Sequence, residues 1–301
     1  MFTRRRFTGV MLGATIAGVA STAFGKVMTG SAAQRIALLE KLRTRLGEIE
    51  AGVGGRLGVA ILDTGSGLQT GRRVNEAFPM CSTFKFLAAA TVLARVDSGQ
   101  EDLNRRIVFS KSDLQEYSPI TQHHVGGAGM SVAELCEAAI TLSDNTAANL
   151  LLASFGGPAG LTAFARSLGD KITRLDRNEP SLNESTPGDP RDTTTPNAML
   201  ADMRKLLLTD RLSASSRAQL LAWLIANKTA DKRIRAKLPN DWRVGDKTGS
   251  GDHGSTNDIA ILWPPGRDPI LVTVYLTDTT AEASRRDGAI AEVGLLIASS
   301  L

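Results

Sequence analysis

The sequence predicts an α+β fold: a five-stranded antiparallel sheet with N- and C-terminal helices packed on it, plus an inserted all-helical lobe. Three observations carry this. Strand-like runs lie near both ends of the chain. About 150 residues separate the two sets, and that interval reads as helices joined by long loops. Helical periodicity then returns before the first strand and after the last.

In chain order, Thr3-Arg4-Arg5-Arg6-Phe7 precedes an apolar stretch from Val10 to Ala20. A charged segment followed by an apolar run too short to span a bilayer reads as an export signal over residues 1–30. The paired arginines before Phe7 point to the twin-arginine route. Cleavage is expected near Ala23-Phe24-Gly25 or between Gly30 and Ala33. Residues 1–25 carry Arg4, Arg5 and Arg6 and no acid, so their removal takes the formal charge from +4 to +1. No basic run or basic–aromatic patch remains, which argues against nucleic-acid binding.

Residues 34–50 carry apolar side chains at helical spacing. Arg56 to Asp63 and Leu68 to Val74 read as strands around the hairpin signal Thr64-Gly65-Ser66-Gly67. A helix opening at Ser82 is apolar on all sides (Phe84, Phe86, Leu87, Val92, Leu93) and is expected to be the buried helix of its lobe. Ser131-Val132-Ala133-Glu134 is a capping box for a helix to about Leu142. A further helix follows Asn145 and stops at Gly156-Gly157. Pro158 and Pro196 sit at helix starts, the latter after Thr195 as N-cap. Another helix spans about Ser215 to Asn227. Strands return at Trp242 to Thr248, Asp258 to Trp263 and Ile270 to Thr277, the last two separated by Trp263-Pro264-Pro265-Gly266. A terminal helix runs from about Ala283 to Ser299. The expected division is 31–78 and 230–301 for the α/β lobe and 79–229 for the helical lobe, with the site in the cleft between them.

Four motifs then name a chemistry: Ser82-Thr83-Phe84-Lys85, Ser143-Asp144-Asn145, Glu179-Pro180-Ser181-Leu182-Asn183 and Lys247-Thr248-Gly249. Ser82 and Lys85 are three apart on a helix and share a face. Serine is a poor nucleophile until a base takes its proton, and a lysine whose pKa is lowered by burial can do so. Ser82 stands at a helix start, where free N–H groups favour developing negative charge. Glu179 supplies a carboxylate able to drive water onto an acyl-enzyme. Lys247-Thr248-Gly249 closes a strand, where a glycine permits close approach. His123, His124 and His253 fall in no zinc-binding pattern, and neither a metal nor an organic cofactor is expected.

Together the four motifs resemble those of the class A serine β-lactamases, from about residue 35 to the C-terminus. The resemblance implies an enzyme, a β-lactam hydrolase working through a covalent acyl-serine and conferring antibiotic resistance, with penicillins and cephalosporins as substrates. Ser82 would attack the lactam carbonyl, with Lys85 or Glu179 as the acylation base. Ser143, assisted by Lys247, would pass a proton to the leaving nitrogen. Glu179 and Asn183 would hold the deacylating water. The backbone N–H groups of Ser82 and Ser250 would form the oxyanion hole. Asn145, Tyr117, Thr248, Gly249 and Ser250 would line the substrate. Arg177 and Asp192 would pair across the loop that carries Glu179.

The resemblance also bears on what is missing. The family's common disulfide joins the Cys136 position to one held here by Ala89, and another branch joins the Cys81 position to one near Gly251. Both partners are absent, so free thiols are expected. Where many members carry a cation beyond Lys-Thr-Gly, this chain reads Gly254-Ser255-Thr256. Arg233 sits where another branch supplies that guanidinium, and is expected to help bind the substrate carboxylate. Asn178 replaces the usual bulky residue before Glu179. A monomer without a stable membrane segment in the periplasm is the expectation. Ser250 is compatible with broad cephalosporin and some carbapenem use. A penicillin-binding DD-peptidase and a β-lactam sensor are the rivals; Glu179 argues against the first, and the second would need a docking or transmembrane segment.

Overall fold

The computed structural model describes residues 32–301, so the expected export signal lies outside the described residues. Helix α1 (Ala32–Val53) leads into the hairpin β1 (Arg56–Asp63) and β2 (Leu68–Arg72). After β3 (Phe78–Pro79) come α2 (Phe84–Asp97), β4 (Arg106–Ile107), β5 (Met130–Ser131), α3 (Val132–Thr141), α4 (Asn145–Ser154) and α5 (Gly157–Ser167). Then follow β6 (Thr193–Thr194), α6 (Pro196–Leu208), α7 (Ala214–Ile225), β7 (Arg243–Ser250), β8 (Thr256–Trp263), β9 (Ile270–Thr277) and α8 (Ala283–Ser300).

Strands from both ends of the chain form one antiparallel sheet in the order β2-β1-β9-β8-β7. The α+β prediction and its five strands therefore hold. Central strand β9 reads ILVTVYLT and is buried along its whole length, as a strand covered on both faces must be. The pleat sorts its side chains with period two. Leu271 and Tyr275 join Ala60, Leu62, Ile259 and Ile261 in the core beneath the helical block. Val272, Val274 and Leu276 join Val59, Ile61 and Leu262 in the opposite core, sealed by Leu42 and Leu46 of α1 and Ile290, Val293 and Ile297 of α8.

Burial rather than amphipathicity organises the helical block. From Phe84 to Leu93 every residue of α2 is buried, and α3, α4, α5 and α7 pack around it. Helices α6 and α7 reach back onto the sheet, α6 against β1 and β9 and α7 against β7. Segment 79–229, expected to be all helical, also contains short pairings: β3 with β6 and β4 with β5. Local chemistry fixes the helix starts. Ser131 and Glu134 form the reciprocal capping box, and Thr195 Oγ1 accepts from Ala198 N at 3.2 Å. Strand β2 stops two residues before the predicted Val74. Arg73 adopts φ +46°, a left-handed conformation that a strand cannot carry. Among the described residues no single helix is long and apolar enough to cross a membrane.

Candidate active site

The first turn of α2 faces the end of β7. Residues 81–83 form a short 3₁₀ turn that leads straight into α2. It is held against the sheet by Asn257 of β8, whose Nδ2 donates to Pro79 O at 2.9 Å and Met80 O at 3.0 Å. A Cβ on Gly249 would lie 2.9 Å from Met80 O and 3.2 Å from Ser82 N. The glycine of Lys-Thr-Gly is therefore demanded by the backbone at Met80 and Ser82. Two residues beside the chemistry are strained: Cys81 at φ +44° and Ser143 at φ +59°. Such conformations cost on the order of 1–3 kcal/mol each and persist where the surroundings impose them.

Lys85 is wholly buried one turn after Ser82. Its Nζ lies 2.9 Å from Ser82 Oγ, 2.7 Å from Ser143 O and 2.6 Å from Asn145 Oδ1. Glu179 Oε1 is 3.0 Å from the same nitrogen. The Ser82 hydroxyl donates to Glu179 Oε1 at 2.9 Å. Three motifs distant in sequence thus close on one nitrogen, Lys85 Nζ. Burial pushes the Lys85 ammonium below the usual lysine range, and the Glu179 charge opposes this without cancelling it.

Lys247 reaches the same cluster from β7, donating to Ser143 Oγ at 3.0 Å and Thr248 O at 2.8 Å. Burial, and then the positive charge of Lys85, lower its pKa well below the ordinary value. Thr248 Oγ1 lies 2.5 Å from Thr229 Oγ1. Ser250 ends the strand and is exposed.

The loop that carries Glu179 is anchored at its ends and held at its middle. Arg177 Nε donates to Asp192 Oδ2 at 2.6 Å, and the backbone N–H groups of Asp176 and Arg177 bind Asp192 Oδ1 at 2.7 and 2.9 Å. Asn149 of α4 clamps Glu179 by its backbone: Nδ2 donates to Glu179 O at 2.9 Å and Oδ1 accepts from Glu179 N at 3.0 Å. Asn183 Nδ2 donates to Glu179 Oε2 at 2.5 Å. Sequence reasoning missed Asn149, although one signal was present. It lies four residues after Asn145 in a helix otherwise mostly apolar, so both amides share one face.

Asp144 proves to be scaffolding. Its carboxylate accepts from the N–H groups of Ile120, Thr121 and Ala147, each at 2.9 Å. Asn145 N in turn donates to Tyr117 O at 3.0 Å. Tyr117 itself is exposed. Arg233 stands beside the end of β7. Its guanidinium donates to Asp287 Oδ1, Gly249 O and Asn257 O at 2.8 Å each and to Ser250 Oγ at 2.7 Å. Cys81 and Cys136 are free and buried, as expected, and burial pushes the Cys81 thiol up to about 12. The three histidines are exposed. Among the described residues no group of three or more His, Cys, Asp or Glu side chains could hold a metal ion.

Comparison with known proteins agrees with this geometry. The model of a family described as "Beta-lactamase enzyme family" matches residues 41–301. Beta-lactamase CTX-M-8 of Citrobacter amalonaticus is 49% identical over 268 residues, covering 89% of this chain and 91% of that protein. Beta-lactamase Toho-1 of Escherichia coli is 48% identical over 267 residues, covering 89% and 91%. Among solved structures, an ancestral (GNCA) class A beta-lactamase is 66% identical, with a TM-score of 0.85, covering 86% of this chain and 100% of that one.

Proposed function

The chain belongs to the class A serine β-lactamases and hydrolyses β-lactams, and we propose a division of that labour among its residues. Ser82 Oγ attacks the lactam carbonyl carbon, and its proton passes to Glu179 or to Lys85 in its neutral form. The C–N bond breaks, and Ser143, held by Lys247, gives its hydroxyl proton to the leaving nitrogen and is refilled through Lys85 with the proton that left Ser82, so that Glu179 is again a carboxylate. Water then attacks the acyl-serine ester. Glu179 takes the water's proton, the ester C–O bond breaks and Ser82 regains its hydrogen. The observation that carries this reading is Ser82 Oγ at 2.9 Å from both Glu179 Oε1 and Lys85 Nζ.

Other contacts support the remaining roles. Asn183 Oδ1 is buried and receives no donor from the described residues, so it can accept a hydrogen bond from the attacking water while Nδ2 steers Glu179. The close approach of Gly249 to Ser82 N supports an oxyanion hole from the N–H groups of Ser82 and Ser250. Thr248, Ser250 and Arg233 cluster where a substrate carboxylate would lie, with Asn145 and Tyr117 on the opposite wall. Penicillins and cephalosporins are the proposed substrates. The protein is proposed to act as a monomer exported through the twin-arginine route to the periplasm. Residues 31–78 with 230–301, and residues 79–229, are its proposed lobes.

The test is hydrolysis of a chromogenic cephalosporin in large excess by the chain from about residue 31. Sustained turnover over many equivalents, lost in Ser82→Ala, is the expected result. A burst of one equivalent followed by a stall would replace this reading with a DD-peptidase or a sensor.

A further inference from the structure

Behind the loop that carries Glu179, two carboxyl groups meet, and among the described residues no cation is paired with them. Asp202 lies on α6, wholly buried. Asp170, also buried, follows α5 and caps the chain that runs toward the loop, its Oδ1 accepting from Ile172 N at 2.7 Å and Thr173 N at 3.1 Å. Lys205, one turn after Asp202, reaches Leu168 O and lies 3.4 Å from where a Cβ on Gly169 would be, so α6 packs against the segment that ends at Asp170, and there the Asp170 carboxylate opposes a charge on Asp202. Yet Asp170 Oδ2 and both oxygens of Asp202 receive no hydrogen bond from any N–H or O–H donor among the described residues.

Ionised carboxylates only accept, so a contact between two of them is a hydrogen bond only if one carries a proton. The neighbouring cations hydrogen-bond elsewhere, and their charges oppose the shift without cancelling it. Arg166 of α5 donates to the backbone carbonyls of Asp170 at 2.7 Å and Thr173 at 2.8 Å. Lys205 of α6 donates to Leu168 O. From β9 the pair faces Tyr275, a buried phenol whose own ionisation is opposed by burial. Burial and the Asp170 charge push the Asp202 carboxyl up to about 8.

We propose that Asp202 keeps its proton at neutral pH and donates it to Asp170, a carboxyl–carboxylate hydrogen bond that fastens the base of the catalytic loop to α6. The proton makes the fold pH-dependent at a point outside the reaction. Unfolded, Asp202 ionises near its ordinary 3.8; folded, it holds its proton up to about 8. The folded chain binds the extra proton throughout that window. Stability from this group is therefore complete below the lower value and is lost progressively as pH rises to the upper one.

The experiment compares thermal midpoints of the wild type and Asp202→Asn from pH 5 to 9. The amide can donate to Asp170 without needing a proton. The variant's midpoint should gain on the wild type's by roughly 10 °C between pH 5 and pH 8 and then level off. A difference independent of pH would overturn the proposal. Asp170→Asn guards against a variant that fails to fold: its amide can donate to Asp202 and removes the neighbouring charge, so the same pH dependence should shrink, with only the part due to burial left. A wild-type midpoint at pH 8 that rises by several degrees with millimolar calcium, with no such response in Asp202→Asn, would assign the pair to a cation and overturn the shared proton.

Discussion

Two places in this molecule draw charges out of water, with opposite results. Where α1 meets β2, Glu50 is buried against Arg72 and Arg73, with the Arg73 Nε contact at 2.6 Å. Burial alone would raise its pKa, but the two guanidiniums outweigh burial and bring it down to about 2. In the cleft, Lys85 and Lys247 are both wholly buried and share Glu179 as their nearby carboxylate. There burial wins, and both lysines fall below their ordinary range. The difference is one of exposure, since the count is two cations to one anion in both places. Arg72 and Arg73 stay about a third exposed and hold the Glu50 charge in place, whereas two wholly buried lysines, each beside the other's charge, leave an amine ready to give up a proton. The first arrangement serves the fold and the second serves chemistry.

Lys247→Met tests the costly side of that contrast. It removes a buried like charge while keeping the volume. Rate should fall roughly 10²–10³-fold through loss of the contact to Ser143, while the thermal midpoint rises or holds. A lower midpoint would mean that the cation stabilises the cleft. Gly249→Ala attacks the geometry that brings the two motifs together. Its methyl would press on Met80 O and Ser82 N, and a displacement of that order lowers kcat by about 10²-fold. Unchanged kcat would show that the strand can retreat harmlessly.

Glu50→Gln breaks the other side. Urea unfolding at neutral pH should show a loss of about 1–3 kcal/mol, a range discounted because both arginines are about a third exposed, with catalysis unaffected. Because the folded pKa is depressed, the wild type's advantage is present above about 4.5 and disappears as pH falls through about 2. An advantage that survives there would remove Glu50 as its source. Arg233→Ala should have the smallest effect. Its donors already serve Asp287, Gly249, Asn257 and Ser250, so KM should rise roughly tenfold or less with kcat nearly unchanged. An unaltered KM would remove Arg233 from substrate binding.

The parts legible in the sequence were those encoded locally. Strand-like runs and turn signals revealed the five strands, and Ser131 and Thr195 announced their helices. Ser82 and Lys85 were readable as a pair because three residues along a helix place side chains together. Contacts between distant segments were not legible. Asn257 holds the turn that carries Ser82 from a strand position 177 residues beyond Met80, and nothing in its neighbourhood says so. Thr229 against Thr248 and Asn149 against Glu179 are similar cases. The end of β2 was missed because a left-handed arginine runs against that residue's own propensity: Arg73 opens a turn in which Glu76 N donates to its carbonyl. Asp202 could not be distinguished from a surface aspartate until its burial was known.

At the centre of the proposed chemistry, Glu179 is the base that drives water onto the acyl group carried by Ser82. The most direct test is Glu179→Gln mixed with one equivalent of a penicillin and followed by intact-protein mass. An adduct of the whole penicillin mass is expected, mapping to Ser82 and persisting while the wild type has returned to its free mass. Return of the variant to its free mass at the wild-type rate, with the penicillin hydrolysed, would contradict that role for Glu179.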